Sequence, residues 1–136
     1  MNKLVVPASV DKLDEVMAFV NNSLKGLEYS DKTLMEIEIA VEEVFVNIAK
    51  YAYPPEEGQV TVETEISGEP KILIARFTDS GTKYDPLEKE DPDTGLSVED
   101  TPIGGLGIFI TKESMDDVIY EYKDNKNILT IRKELR

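Results

Sequence analysis

Between Ser30 and the Pro54-Pro55 pair, Leu34, Ile37, Val41, Val44, Phe45 and Ile48 recur at steps of three and four. That spacing puts one apolar stripe on a long helix, and a helix with such a face must bury it against another layer. Ser30 suits the N-cap and the prolines suit the stop, so the helix is expected over roughly Asp31 to Tyr53. Ahead of it, Lys3 to Pro7 reads as a short strand. Val10, Leu13, Val16, Met17, Val20 and Leu24 then predict a first helix that follows Ser9 and ends at Gly26. Behind it, the alternation from Val60 to Ile66, the Ser67-Gly68-Glu69-Pro70 turn and the apolar run from Lys71 to Thr78 predict a hairpin.

Ser80 to Pro102 keeps no period and reads as a long functional loop. Gly104 to Glu113 reads as a short helix, and Asp117 to Lys123 with Asn127 to Lys133 as a closing hairpin around Asp124-Asn125-Lys126. This order predicts an α/β two-layer sandwich, with a mixed, mostly antiparallel sheet covered on one face by about three helices. A length of 136 residues fits one domain, and neither a repeat nor a linker interrupts it.

Composition narrows the chemistry. The chain has neither cysteine nor histidine, which excludes disulfides, thiolate and Ser-His catalysis and the zinc sites built on those residues. Hard, oxygen-liking cations such as Mg²⁺ remain. A net charge of −13 without a basic cluster argues against direct nucleic-acid binding and against anionic lipid surfaces. No apolar run approaches the roughly 18 residues of a membrane span, so the protein is expected in the cytoplasm.

Three segments carry candidate chemistry. On the long helix, Glu36, Glu43, Asn47 and Lys50 gather opposite the apolar stripe, flanked by Ile39, Ala40 and Val46. Such a stripe is commonly a solvated face; apolar flanks instead suggest the border of a cleft. Glu43 precedes Asn47 by one turn, so a carboxylate and a carboxamide can hold a hydrated Mg²⁺ beside an attacking hydroxyl. In Thr78-Asp79-Ser80-Gly81 a strand ends in Asp and the chain turns at Gly. This is either an ordinary turn or a carboxylate placed to accept a hydrogen bond from an exocyclic amine such as that of adenine. Gly104-Gly105-Leu106-Gly107 opens a helix, where bare backbone N–H groups suit a phosphate or the glycines merely permit close packing. It is not a Walker A loop, since no Lys-Ser/Thr follows.

In order and spacing these segments resemble the GHKL ATPase superfamily over nearly the whole chain. Glu43-Val44-Phe45-Val46-Asn47 through Tyr53 looks like its N box, Asp79-Ser80-Gly81 like its first glycine box, and Gly104-Gly105-Leu106-Gly107 like its second. Gly104 to Ile110, Met115 to Tyr120 and Asn127 to Lys133 closely resemble the anti-sigma-factor serine/threonine kinase branch. The resemblance implies the Bergerat ATP-binding fold over residues 1–136 with an ATP lid at about 82–103. It implies Glu43 as general base and Asn47 as the Mg²⁺ ligand. Asp79 is implied as the adenine reader, Lys50, Gly81, Gly104, Gly105 and Gly107 as nucleotide contacts, and Thr130 as a support for adenine from the last strand.

The implied activity is Mg·ATP-dependent serine phosphorylation of a STAS-domain anti-anti-sigma protein, combined with binding of a sigma factor or sigma-like regulator. Transcription regulation is the implied setting, and a homodimer is possible. The chain departs from the family in three places. Lys83 stands where the first glycine box often has a second glycine, Tyr51 replaces the usual His, and only Lys83 and Lys89 are basic between Asp79 and Gly104. A lid without Arg leaves phosphoryl transfer slow or dependent on a partner. The alternatives are an interaction switch that holds ATP without transferring phosphate, and an adaptor that keeps the fold without the site. Intact Glu43, Asn47, Asp79 and glycines speak against the second.

Overall fold

The computed structural model describes residues 2–53, 58–88 and 105–136. Five strands form one sheet in the order β1-β2-β3-β5-β4: β1 Asn2–Pro7, β2 Gln59–Ser67, β3 Ile72–Asp79, β4 Asp117–Lys123 and β5 Lys126–Glu134. The sheet was expected to be mixed and mostly antiparallel; among the described residues all four strand pairings are antiparallel. The β4–β5 turn is Asp124-Asn125, both with positive φ, as a two-residue hairpin loop requires. Three helices join the sheet: α1 Leu13–Ser23, α2 Asp31–Tyr51 and α3 Gly105–Ser114. The first helix begins later than expected, because Val10–Lys12 forms a separate 3₁₀ turn.

Alternation along the strands decides which face is covered. On β3, Leu73, Ala75, Phe77 and Asp79 are buried; on β5, Asn127, Leu129, Ile131 and Lys133 are. These residues pair across the two strands, Leu73 with Lys133 through to Asp79 with Asn127. Apolar rungs thus run between a polar rung at one end and a lysine at the other. Onto them α2 lays Ile37, Val41, Val44 and Phe45, all at most 2% exposed, with Leu34 and Ile48 packed at the margin. The expected stripe is the observed one. Val16 and Val20 of α1, with Leu24 just beyond its end, join the same core.

The start of α2 is fixed by Ser30, whose Oγ accepts from the Thr33 amide at 3.1 Å. The hydroxyls of Ser30 and Thr33 both donate to the Arg136 carbonyl, at 2.9 and 2.7 Å, tying the chain beyond β5 to this helix end. The Pro54-Pro55 stop lies outside the described residues; within them α2 ends at Tyr51.

The third helix, α3, runs beside α2 over its polar stripe. Near the C-terminus of α3, Lys133 Nζ donates to the Ser114 carbonyl at 2.7 Å and meets Glu36 Oε1 at 3.3 Å. A cation at that helix end favours the dipole, and Glu36 compensates a lysine side chain that is 6% exposed. Glu36 shares the polar stripe with Glu43, Asn47 and Lys50 but has a partner of its own. Seven residues, about 10 Å of helix, separate Glu36 from Glu43, and Glu36 is occupied in holding the far end of α3.

Candidate functional site

At the opposite end of the helix-covered face, a cleft opens between the last turns of α2 and the β3–β5 rung. Val44, Ile48, Ala52, Phe77 and Leu129 form its apolar walls, and Asn47, Asp79 and Asn127 its polar points. Tyr84, Pro86 and Tyr120 complete the rim. Together they surround about 380 Å³ of empty space, part of it open to solvent. Apolar walls with a few fixed polar groups suit a flat heteroaromatic ring.

Asp79 sits at the base of this cleft and is 4% exposed. Its Oδ1 accepts from the Gly81 amide and from Asn127 Nδ2, each at 2.9 Å, which leaves Oδ2 for a ligand. Burial pushes the carboxyl above its ordinary value, while the Asn127 and Gly81 hydrogen bonds pull it back. Gly81 is required by proximity. A Cβ there would collide with the Ala52 carbonyl oxygen, the same oxygen that accepts from the Thr82 amide at 2.7 Å. The turn after β3 is therefore stitched to the end of α2, which holds Asp79 opposite Asn47.

Asn127 is the residue that sequence reasoning missed. Its Nδ2 donates to Asp79 and to the Thr82 carbonyl, both at 2.9 Å, while its Oδ1 accepts from the Tyr84 amide at 3.1 Å and from the Tyr120 hydroxyl at 2.5 Å. Every hydrogen-bonding position of the carboxamide is used. Thr130, the expected contact from the last strand, does not reach the cleft. It pairs with Arg76 on the sheet face away from the helices, because 127, 129 and 131 are the inward positions of β5. The signal was present in the parity of β5, where Leu129 and Ile131 mark the inward set. Asn127→Ala is expected to strand the Tyr84 amide, Thr82 carbonyl and Tyr120 hydroxyl and to cost about 1–3 kcal/mol of stability, read by denaturant unfolding.

The second half of the site lies one step further along α2. Asn47, 6% exposed, donates from Nδ2 to Glu43 Oε1 at 3.0 Å. With the nitrogen committed, the carboxamide oxygen is the atom left to meet a cation, and a carbonyl oxygen is a hard donor that suits Mg²⁺. Among the described residues no three Asp or Glu side chains cluster to hold an ion, so a metal here relies on ligands beyond the protein, as Mg²⁺ on a nucleotide commonly does. Glu43 lies beneath the first turn of α3, against Gly107. Lys50 is exposed and does not line the cleft. Gly105 is the first residue of α3, while Gly104 and most of the expected lid fall outside the described residues. The part of the lid that is described starts at the site: Tyr84 lines it, with its ring 5.4 Å from that of Tyr51.

An apolar-walled cleft, a buried Asp before a glycine turn, and a Glu–Asn pair under a glycine-opened helix meet in one place. Residues 6–133 match the model of the histidine kinase-like ATPase domain. The chain belongs to that family. Within it, the chain groups with serine-protein kinases called RsbW. It is 34% identical to that of Listeria monocytogenes serovar 1/2a over 116 residues, 79% of this chain and 73% of the relative. It is 28% identical to that of Bacillus cereus strain B4264 over 117 residues, 83% of this chain and 70% of the relative. Among solved structures, the histidine kinase AdeS of Acinetobacter baumannii aligns with a TM-score of 0.51 and 17% identity, covering all of this chain and 68% of that one. At that identity the likeness concerns the fold. No described helix is long and apolar enough to cross a membrane.

Proposed function

We propose that residues 1–136 act as one Mg·ATP-dependent serine kinase unit of the anti-sigma type. The observation that carries the reading is Asp79. It is a buried carboxylate at the floor of an apolar cleft, with one oxygen saturated by Gly81 and Asn127 and the other left for an amine. Adenine presents such an amine at the edge of a flat ring; guanine presents a carbonyl at that position and meets the carboxylate with repulsion.

With adenine against Asp79, the phosphates extend along α2 toward Asn47 and the glycine-opened start of α3. Mg²⁺, when bound, would supply charge compensation for those phosphates, and Asn47 is the residue that would hold it. Glu43 serves as the base. The serine Oγ of the acceptor forms a bond to the γ-phosphorus while the bond from that phosphorus to the β,γ-bridging oxygen breaks. The hydroxyl proton passes to the Glu43 carboxylate, and ADP leaves with the bridging oxygen. The acceptor is a STAS-domain anti-anti-sigma protein, and the second partner is a sigma factor or sigma-like regulator. The unit works in the cytoplasm, as a monomer or a homodimer, and residues 82–103 act as its lid.

The scarcity of cations in that segment favours the rival reading, a switch that holds ATP without transferring phosphate. Two measurements decide. Calorimetric titration is expected to show Mg·ATP and Mg·ADP binding and GTP binding weakly; equal affinity for ATP and GTP removes Asp79 as the base reader. Incubation with γ-labelled ATP and STAS-domain proteins is expected to label a serine; tight binding without label leaves the switch.

A further inference from the structure

A glycine at the start of α3 is ordinarily explained by what lies in front of the helix. Gly107 has its tightest neighbour behind it. A Cβ built on Gly107 would stand 2.1 Å from Glu43 Oε2, 2.2 Å from Glu43 Cδ and 2.6 Å from Oε1. All three nearest atoms belong to one carboxylate. Gly107 is the third residue of α3, a helical position at which alanine is the better helix former, so helix formation alone gives no reason for glycine there.

The surroundings hold the two partners together. The Gly107 carbonyl accepts from Thr111 Oγ1 at 2.9 Å, and Thr111 is 1% exposed, so this turn of α3 is pinned from below. At the far end, Lys133 fixes Ser114 to Glu36. On α2, Ala40 is fully buried between Glu36 and Glu43. The Glu43 carboxylate thus has Asn47 Nδ2 on one side and bare helix backbone on the other.

We propose that Gly107 is a positioning residue for Glu43: its missing side chain is the slot in which the carboxylate is held beside Asn47. This rests on the reading of Glu43 as the base. It assigns Gly107 a task separate from phosphate binding, because a side chain at 107 displaces the base before it meets a nucleotide. The displacement is mild for the fold, since the atoms that give way are the end of a flexible side chain, and severe for proton transfer, which needs the base within hydrogen-bond reach.

The test compares Gly107→Ala, Glu43→Ala, Glu43→Asp and the double variants, in three measurements. In thermal unfolding without ligand, Gly107→Ala is expected to lower the midpoint of the parent and to raise that of Glu43→Ala, where the slot is empty and only helix propensity acts. The same shift in both backgrounds overturns the proposal. In titration with Mg·ATP, Gly107→Ala is expected to bind within about threefold of the parent. Loss of tenfold or more marks Gly107 as a nucleotide contact and overturns the separate task.

Release of phosphate from γ-labelled ATP, with water as acceptor, is expected to fall on the order of a hundredfold in Gly107→Ala. In Gly107→Ala/Glu43→Asp it is expected to recover at least about tenfold, because the shorter acid withdraws from the new methyl group. No recovery counts against positioning. A parent that binds ATP but releases no phosphate to water leaves the slot to be decided by the unfolding comparison.

Discussion

Asp79→Asn is expected to weaken ATP binding by about a hundredfold or more while leaving the ligand-free fold at least as stable as the parent. The introduced carboxamide keeps a carbonyl oxygen where Asp79 Oδ1 now accepts from the Gly81 amide and Asn127 Nδ2, so both 2.9 Å hydrogen bonds survive. The position of Oδ2 becomes an NH₂ group, and the adenine amine then faces a donor. Loss of a hydrogen bond to a charged group is worth about 1.5–3 kcal/mol, and the donor facing a donor adds to it.

Stability moves the other way. Burial is the largest influence on the Asp79 carboxyl and raises it above its unfolded value, against the pull of Asn127 and Gly81. An acid whose folded value is raised binds its proton more tightly in the folded state. Its contribution to stability is therefore most favourable below the unfolded value and declines as pH rises through the folded one. Above that folded value the parent carries an ionised, desolvated carboxylate that Asp79→Asn removes. Thermal unfolding against pH is expected to show that decline in the parent and its loss in the variant. For ATP the dependence is reversed: affinity falls as pH drops through the folded value, because the proton goes to the oxygen that reads adenine. A variant that binds ATP normally, or unfolds markedly earlier than the parent at neutral pH, contradicts this account of Asp79.

The balance at Asp79 also explains why some of this molecule was legible in its sequence and some was not. Spacing along one element is a local property, so Ile37, Val41, Val44 and Phe45 identified the buried face of α2, and the Asp79–Gly81 turn and the Glu43–Asn47 step declared themselves. Contacts between elements depend on register and on which helix covers which face. Thr130 and Asn127 are three residues apart on β5 and fall on opposite faces of the sheet, an outcome that one step of pairing would reverse. Glu36 and Glu43 share a stripe on α2, yet α3 lies across both, so one pairs with Lys133 and the other meets Gly107. Motif order singled out Asn47 and Asp79, which the structure brings to one cleft. The parity of β5 marks Asn127 as inward, but its hydrogen bonds join three separate segments, and no one segment declares those partners.

Glu43→Gln is expected to separate chemistry from affinity. The substituted side chain retains an oxygen to accept from Asn47 Nδ2, as Glu43 Oε1 does at 3.0 Å, and it is close in volume to the acid that fits against Gly107. Asn47, the start of α3 and the cleft beside Asp79 are therefore undisturbed, and Glu43 itself does not line that cleft. Mg·ATP is expected to bind within about threefold of the parent by calorimetry. The variant lacks a group that can take a proton from an incoming hydroxyl, and removal of a general base costs on the order of 10²–10⁴ in rate. Transfer from γ-labelled ATP to a STAS-domain serine should fall by that amount. The scarcity of cations between Asp79 and Gly104 makes the prediction sharper, since little positive charge from this chain remains to stabilise the moving phosphoryl group once the base is gone. Asn47→Ala provides the contrast. It removes the carboxamide oxygen and is expected to lose the magnesium dependence of ATP binding, with metal-free ADP binding less affected. If Glu43→Gln transfers phosphate at the parental rate, the proton leaves by another route and the carboxylate beneath α3 is structural. If it loses ATP binding along with transfer, Glu43 contacts the nucleotide or its metal directly, and the division of labour between Glu43 and Asn47 must be redrawn.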